Sequence, residues 1–177
     1  VTVTLPSALV DTGTYVLVGA HSDSLWGKSQ LHRHPQIVRW WYADSVTMEV
    51  GNAFGGPIYI AIQAGSTLGD FDVTISNAIK APRYIHGQTD VYQWQQQYRN
   101  DPAPWAEIGS EQFILTVPSH EIRDLDNPEE LMDWWDEALG MEHAIYGYLP
   151  WPRVERAVFD AQISAGWMHS GYPFMAH

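Results

Sequence analysis

"DNPEELMDWWDEALG", Asp126 to Gly140, is the stretch from which the fold is read. Asn127 suits an N-cap, whose side-chain oxygen takes an amide hydrogen that a helix start leaves unpaired, and Pro128 suits the first helical position, where no amide hydrogen is needed. Glu130 stands where a capping box places a carboxylate, and Gly140 offers a C-terminal cap. Leu131, Trp134, Trp135, Ala138 and Leu139 recur at i, i+3, i+4, i+7 and i+8, one apolar stripe, while Glu129, Asp133, Asp136 and Glu137 take the other faces. The spacing predicts a helix from Pro128 to Leu139, with both tryptophans in the core.

Outward from that helix the period changes. Up to about Asn77 apolar residues alternate with polar ones, as in half-buried strands: Val1-Val3-Leu5, "TYVLVGA", "SVTMEV", "PIYIAI" and "FDVTIS", the last with Phe71, Val73 and Ile75 on one side. "DTG", "GN", "GGP" and "GSTLGD" punctuate them with residues that tolerate positive φ. A small β-sandwich or open barrel follows. "VYQWQQQYRN" fits a short helix, a strand or an ordered loop. Pro102 and Pro104 enforce an extended entry to "FILTV", a strand stopped by Pro118. After the helix, "YGYLPWPRVER" reads as a proline-broken connector and "RAVFDAQISAGWMHSGYPFM" as one or two strands around Gly166. The class is therefore α+β, with a β-sandwich-like subdomain over 1–89 and an incomplete second α+β subdomain over 90–177.

Composition narrows the functions. The 177 residues are 45% hydrophobic, 13% aromatic and only 17% charged, which is a packed body and not a disordered tail. A net charge of −12 with nine Lys plus Arg argues against nucleic acid, which demands a basic footprint. Twelve of the acids fall between Asp101 and Glu142, against Arg123 alone. With no cysteine, a metal site has only His and carboxylates to use. No apolar run approaches the roughly 20 residues of a membrane span, and the start at Val1 reads as excised from something longer.

Each chemical motif has a plainer reading beside it. His120 and Glu121 in "SHEIRD" begin an HExxH, but Asp124 stands where the second His belongs, and the pattern needs a helix to bring two imidazoles to one face. A loop is the reading. His32 and His34 in "LHRHP" would share one side of a strand, yet two ligands without a third favour surface or hydrogen-bonded histidines, and His21 and Asp23 in "AHSDS" read the same way. Glu142, His143 and the acids of the helix read as a solvated face. Of the nine tryptophans, Trp26, Trp40, Trp41, Trp94, Trp105, Trp151 and Trp167 lie outside the helix, and those that face solvent offer a glycan-binding surface.

In series, "LVGAHSDSL", "NAFGGPIYI", "DPAPWAEIGSEQFILTVPS", "LMDWWDEAL" and "DAQISAGWMHSGYPFMAH" resemble the enhancin-like, mucin-degrading peptidases of family M60, over nearly the whole chain. The resemblance implies a secreted or cell-surface zinc metallopeptidase of the gluzincin type acting on mucin-like glycoproteins, in which an HExxH helix and a later Glu hold zinc. That helix follows the "SGYP" segment in the family pattern and has no counterpart here. The resemblance thus implies no catalytic and no metal-binding residue in this sequence, zinc only in a full-length protein, inactivity of this stretch alone, and the remaining half of the catalytic domain as a partner.

It also implies that "GWMHSGYPFM" is the edge strand with which an extended substrate pairs. Trp167, His169, Ser170, Gly171, Tyr172 and Pro173 are then the expected substrate-binding residues, with polar contacts from His169 and Tyr172. An ordinary core strand, or a non-catalytic glycan- or protein-binding module, is the rival reading.

Overall fold

The computed structural model describes residues 1–147 and 153–177, so the part of the expected connector that holds Trp151 lies outside the described residues. Two compact units are present, one of Val1–Ala20 with Ile37–Ile79, the other of His21–Gln36 with Lys80–His177. The division falls at Ile79 where the change of texture suggested residue 89, because Arg83–Ile85 is already a strand of the second unit. Residues 21–36 also group with that second unit, which nothing in their composition announces.

In the first unit the period-two segments form β1 (Thr2–Thr4), β2 (Tyr15–Val18), β3 (Arg39–Tyr42), β4 (Thr47–Glu49), β5 (Ile58–Ala61) and β6 (Thr74–Ser76). They pair antiparallel into two three-stranded sheets, ordered β4-β1-β6 and β3-β2-β5. Val3 and Met48 of one sheet pack with Val16, Val18, Trp41, Ile58 and Ile60 of the other. Each sheet therefore buries one face against its neighbour, which is the sandwich the alternation predicted. Of the predicted row Phe71, Val73 and Ile75, only Val73 packs on this core. Ile75 lies opposite Val3 but on an outer strand, and it remains 42% exposed, with Phe71 at 36%. Gly56 permits a close approach: a Cβ there would stand 2.7 Å from the Gly19 Cα, and its φ of 132° suits glycine.

The second unit holds a six-stranded sheet of β7 (Arg83–Ile85), β8 (Trp105–Gly109), β9 (Phe113–Pro118), β10 (Glu155–Phe159), β11 (Met168–His169) and β12 (Phe174–Ala176). Its order is β11-β12-β10-β9-β8-β7. β8 and β9 form an antiparallel hairpin, β7-β8, β9-β10 and β10-β12 run parallel, and β11 turns back antiparallel on β12. The sequence reading found "FILTV" and missed β8, whose inward Ala106 and Ile108 are separated by Glu107. The undecided "VYQWQQQYRN" opens with helix α1 (Val91–Gln96), capped by the Asp90 carboxylate, which accepts from Gln93 N at 2.9 Å. Trp94 is wholly buried, and its indole donates to Leu125 O at 2.7 Å.

The helix read from Asp126–Gly140 is α2, which runs Pro128–Tyr146. Its start is as expected, with the Asn127 side chain accepting from Glu130 N at 3.3 Å. Its end is not: Gly140 lies inside, and Gly147, at φ 92°, is the left-handed cap, donating to His143 O. One glycine costs a helix only about 1 kcal/mol, and "MEHAIY" beyond it sustains the turn. Met132 and Leu139 are buried and Trp135 half-buried on one face, packed with Ile108 and Phe113, and Trp135 stacks on Phe113 at 4.4 Å. Trp134, expected in the core, points away and is 59% exposed.

Candidate functional site

Among the described residues β11 is the outermost strand of the sheet, so one of its edges carries backbone groups that no described strand pairs. Around it the predicted site residues come together in one stretch. Trp167 is 79% and Met168 63% exposed. The Trp167 ring meets the His177 ring edge-on at 5.1 Å, and its carbonyl accepts from His177 N at 2.9 Å. Gly171 has φ 147°, and the turn it makes returns the chain to β12.

The two polar side chains expected to reach out are already engaged. His169 Nε2 lies 3.0 Å from Ser164 Oγ and Nδ1 3.2 Å from Ser170 O, an arrangement that suits a ring donating through Nδ1 and accepting the hydroxyl. The Tyr172 hydroxyl donates to Val154 O at 3.0 Å, and the Arg153 guanidinium covers its ring at 3.8 Å. Pro173 O accepts from Ser22 Oγ at 2.9 Å. What β11 and the residue before it show to solvent is therefore a thioether, an indole and backbone. Beside it opens a hollow of about 600 Å³. Phe113, Leu139, Met168 and Phe174 supply apolar walls, and Glu142, Arg153, Glu155 and His169 supply polar ones.

Sequence reasoning missed the segment 21–36, which has no helix or strand and runs as a strap beside β10–β12. His32 N donates to Gln162 Oε1 at 2.8 Å and the Gln162 amide donates to Gln30 O at 2.9 Å. Arg33 bonds the Asp23 carboxylate at 2.8 Å and, through Nε, the carboxylate of Asp160, the residue that follows β10. His21 Nε2 lies 2.8 Å from the same Asp160, and its ring stands edge-on to Trp105 at 4.9 Å. Burial pushes the Asp160 carboxyl up, but the His21 hydrogen bond, the His21 and Arg33 charges and the Ala161 amide outweigh it and hold the group below its ordinary value. The signal for this cluster was "AHSDS" and "LHRHP", read as surface or hydrogen-bonded histidines. The partner residues lie more than a hundred positions away.

The remaining motifs stay apart. His32 and His34 are not on a strand: His34 Nδ1 lies 2.8 Å from Gln36 O, and its ring meets Trp26 at 5.9 Å. "SHEI" is a single 3-10 turn, with His120 exposed and 3.1 Å from Glu121. Among the described residues no group of three or more His, Asp or Glu is placed to hold a metal ion.

Among the described residues the first unit is a β-sandwich, and the second is a six-stranded mixed sheet with the helix α2 and β11 as its outermost strand. The fold is similar to the ZmpB metallopeptidase from Clostridium perfringens, with a TM-score of 0.63 and 14% identity over 99% of this chain and 40% of that one. It is also similar to IMPa from Pseudomonas aeruginosa, solved with an O-glycopeptide, at a TM-score of 0.57 and 16% identity over 99% of this chain and 25% of that one. Residues 77–177 match the model of Peptidase M60, enhancin and enhancin-like, and residues 1–76 that of the N-terminal domain of M60-like peptidases. The chain belongs to the Peptidase M60, enhancin and enhancin-like family. It is 46% identical, over 97% of its length, to a TRPM8 channel-associated factor homolog of Xenopus laevis, of which it spans 19%.

Proposed function

We propose that this chain is the substrate-presenting part of a zinc metallopeptidase acting on mucin-like O-glycosylated proteins, secreted or at the cell surface, and inactive by itself. One observation carries the reading: β11, unpaired on its outer side, stands beside an apolar hollow in a chain of the M60 family. An extended peptide laid along β11 gains backbone hydrogen bonds, each worth about 1 kcal/mol net. Two residues of strand give too few of these for tight binding, so affinity has to come from the side chains around them. The Trp167 indole, Ser170 and the hollow then meet the glycan and the peptide side chains. That IMPa was solved with an O-glycopeptide supports a ligand of this class.

Zinc does not fit the residues at hand. His120 and Glu121 sit on an exposed turn, Asp124 replaces the second imidazole, and the described residues hold no third donor beside them. In this reading zinc is held by polypeptide outside these residues. Exposed Met141 and Ile145 on α2, outside the lining of the hollow, form the seat for that remaining part of the catalytic domain.

The test uses the full-length protein. Trp167→Ala lowers affinity for an O-glycosylated threonine peptide about tenfold, the equivalent of 1.4 kcal/mol. Unchanged affinity and unchanged cleavage in a Trp167→Ala, His169→Ala, Tyr172→Phe variant would sink the proposal.

A second reading, a non-catalytic glycan- or protein-binding module, is favoured by two observations. The Xenopus relative is named for association with a channel. The outer face of the β3-β2-β5 sheet exposes Trp40 (57%), Tyr42 (39%) and Tyr15 (38%), with Tyr15 5.4 Å from Tyr42 and 6.0 Å from Trp40. Binding that is lost in Trp40→Ala and retained in Trp167→Ala, without cleavage, favours this second reading.

A further inference from the structure

We infer that the buried chain of ionic groups Asp23, Arg33 and Asp160, with His21 at one end, is the positioning device of the edge strand; the inference rests on the reading of β11 as the ligand-facing strand. The four side chains are 3%, 10%, 9% and 2% exposed. Ions so buried are an inefficient way to stabilise a fold, since several kcal/mol of lost hydration offset their attraction and an apolar cluster of the same volume does as well. What they add over apolar packing is direction.

That direction is legible in how each group divides its bonds. Asp23 gives Oδ1 to Arg33 and Oδ2 to the Ser164 amide at 2.7 Å, with His169 Nε2 3.6 Å from the same oxygen. The Ser164 hydroxyl meets that imidazole at 3.0 Å. Arg33 spends its planar fork on both carboxylates and reaches His34 O at 3.0 Å. Asp160 N donates to Ala176 O, the last residue of β12. Among the described residues Asp160 is the one polar contact of His21, whose ring stands against Trp105 and whose Nδ1 is buried without a hydrogen-bond partner.

The chain therefore runs from the end of β10, through the strap, to the imidazole on β11. A two-residue strand paired on one side has little of its own to hold its register. With Asp23 holding the Ser164 amide and the Ser164 hydroxyl holding the ring of His169, Trp167 and Met168 are presented on a fixed base. Asp23, Arg33 and Asp160 are thus positioning residues that act on a ligand only through β11.

Amide hydrogen exchange on the full-length protein tests this without any ligand. The matched neutral variant Asp23→Asn, Arg33→Met, Asp160→Asn leaves no lone buried charge. It is expected to keep its melting midpoint within a few degrees, while the amides of 167–170 exchange at least tenfold faster and those of β8 and β9 do not change. The milder Arg33→Lys, which keeps the charge and loses the fork, is expected to raise exchange at 167–170 several-fold, and it serves if the triple variant does not fold. Exchange that is unchanged at 167–170, or that rises equally across the sheet as a merely structural role would give, overturns the inference. Failure of the O-glycosylated peptide to bind the parent protein counts against the functional proposal and leaves the exchange result to judge this one.

Discussion

The amide of Ser164 donates to the Asp23 carboxylate at 2.7 Å across 141 positions of sequence. That bond joins the strap to the segment leading into the edge strand, and the same carboxylate balances the buried Arg33. Asp23→Ala removes one partner and leaves the guanidinium short of a counter-charge and the Ser164 amide without an acceptor. A loss of about 3 kcal/mol or more is expected, read as a shift of the urea midpoint at constant slope. A loss below about 1 kcal/mol, the worth of an exposed pair, would show that Asp23 is solvated in solution.

Asp160 makes stability depend on pH. Its folded carboxyl titrates below the ordinary value of 3.8, so folding favours the ionised form. The stabilisation is complete above the unfolded value and is lost as pH falls through the lower folded value. The difference in stability between the parent and Asp160→Asn should be constant near neutrality and shrink below about pH 4. Denaturant titrations from pH 7 to 2.5 measure it, and a difference that stays flat to the acid limit contradicts the assignment.

Two glycines of α2 should respond oppositely to alanine. Gly140 is in mid-helix with open space at its Cβ position, so Gly140→Ala should stabilise by about 1 kcal/mol. Gly147, at φ 92°, caps the helix in a conformation that costs an L-residue roughly 1 kcal/mol or more, so Gly147→Ala should destabilise. Thermal melts of the two variants should move in opposite directions, and equal shifts would place the helix end elsewhere.

The adjacent tryptophans separate in the same way. Trp135 stacks on Phe113 over the sheet, and Trp135→Ala should cost about 3 kcal/mol. Trp134 is 59% exposed, and Trp134→Ala should stay within about 1 kcal/mol. Comparable losses from both would mean that the helix is rotated from the face described.

The difference between these two residues marks how far periodicity reaches. A stripe at i, i+3 and i+4 marks a helix face about 100° wide, and both indoles fall within it. Which one meets the sheet depends on where Phe113 stands, and that is a property of the hairpin. Ile75 repeats the case: alternation set its side of β6, and the place of β6 at a sheet edge left it in solvent. For the site, the stretch Trp167–Pro173 was an expectation from resemblance, and the structure places it at the outermost strand of the sheet and the turn that follows. Its support was not legible, since "AHSDS" and "LHRHP" show two histidine-bearing loops and nothing of Asp160 or Ser164.

By itself the sequence determined the α+β class, the alternating strands of the sandwich, the start of α2 at its Asn127 cap, and the want of an HExxH. These follow from spacing, capping and residue identity, which act within a few residues along the chain. Only the tertiary structure decided that residues 21–36 join the second unit, that β11 is the last strand of its sheet, and that Asp23, Arg33 and Asp160 meet in the dark. The links from the strap to Asp160, Gln162 and Ser164 span more than a hundred positions, and all these pairings are set by which surfaces bury one another, a choice that no local pattern carries.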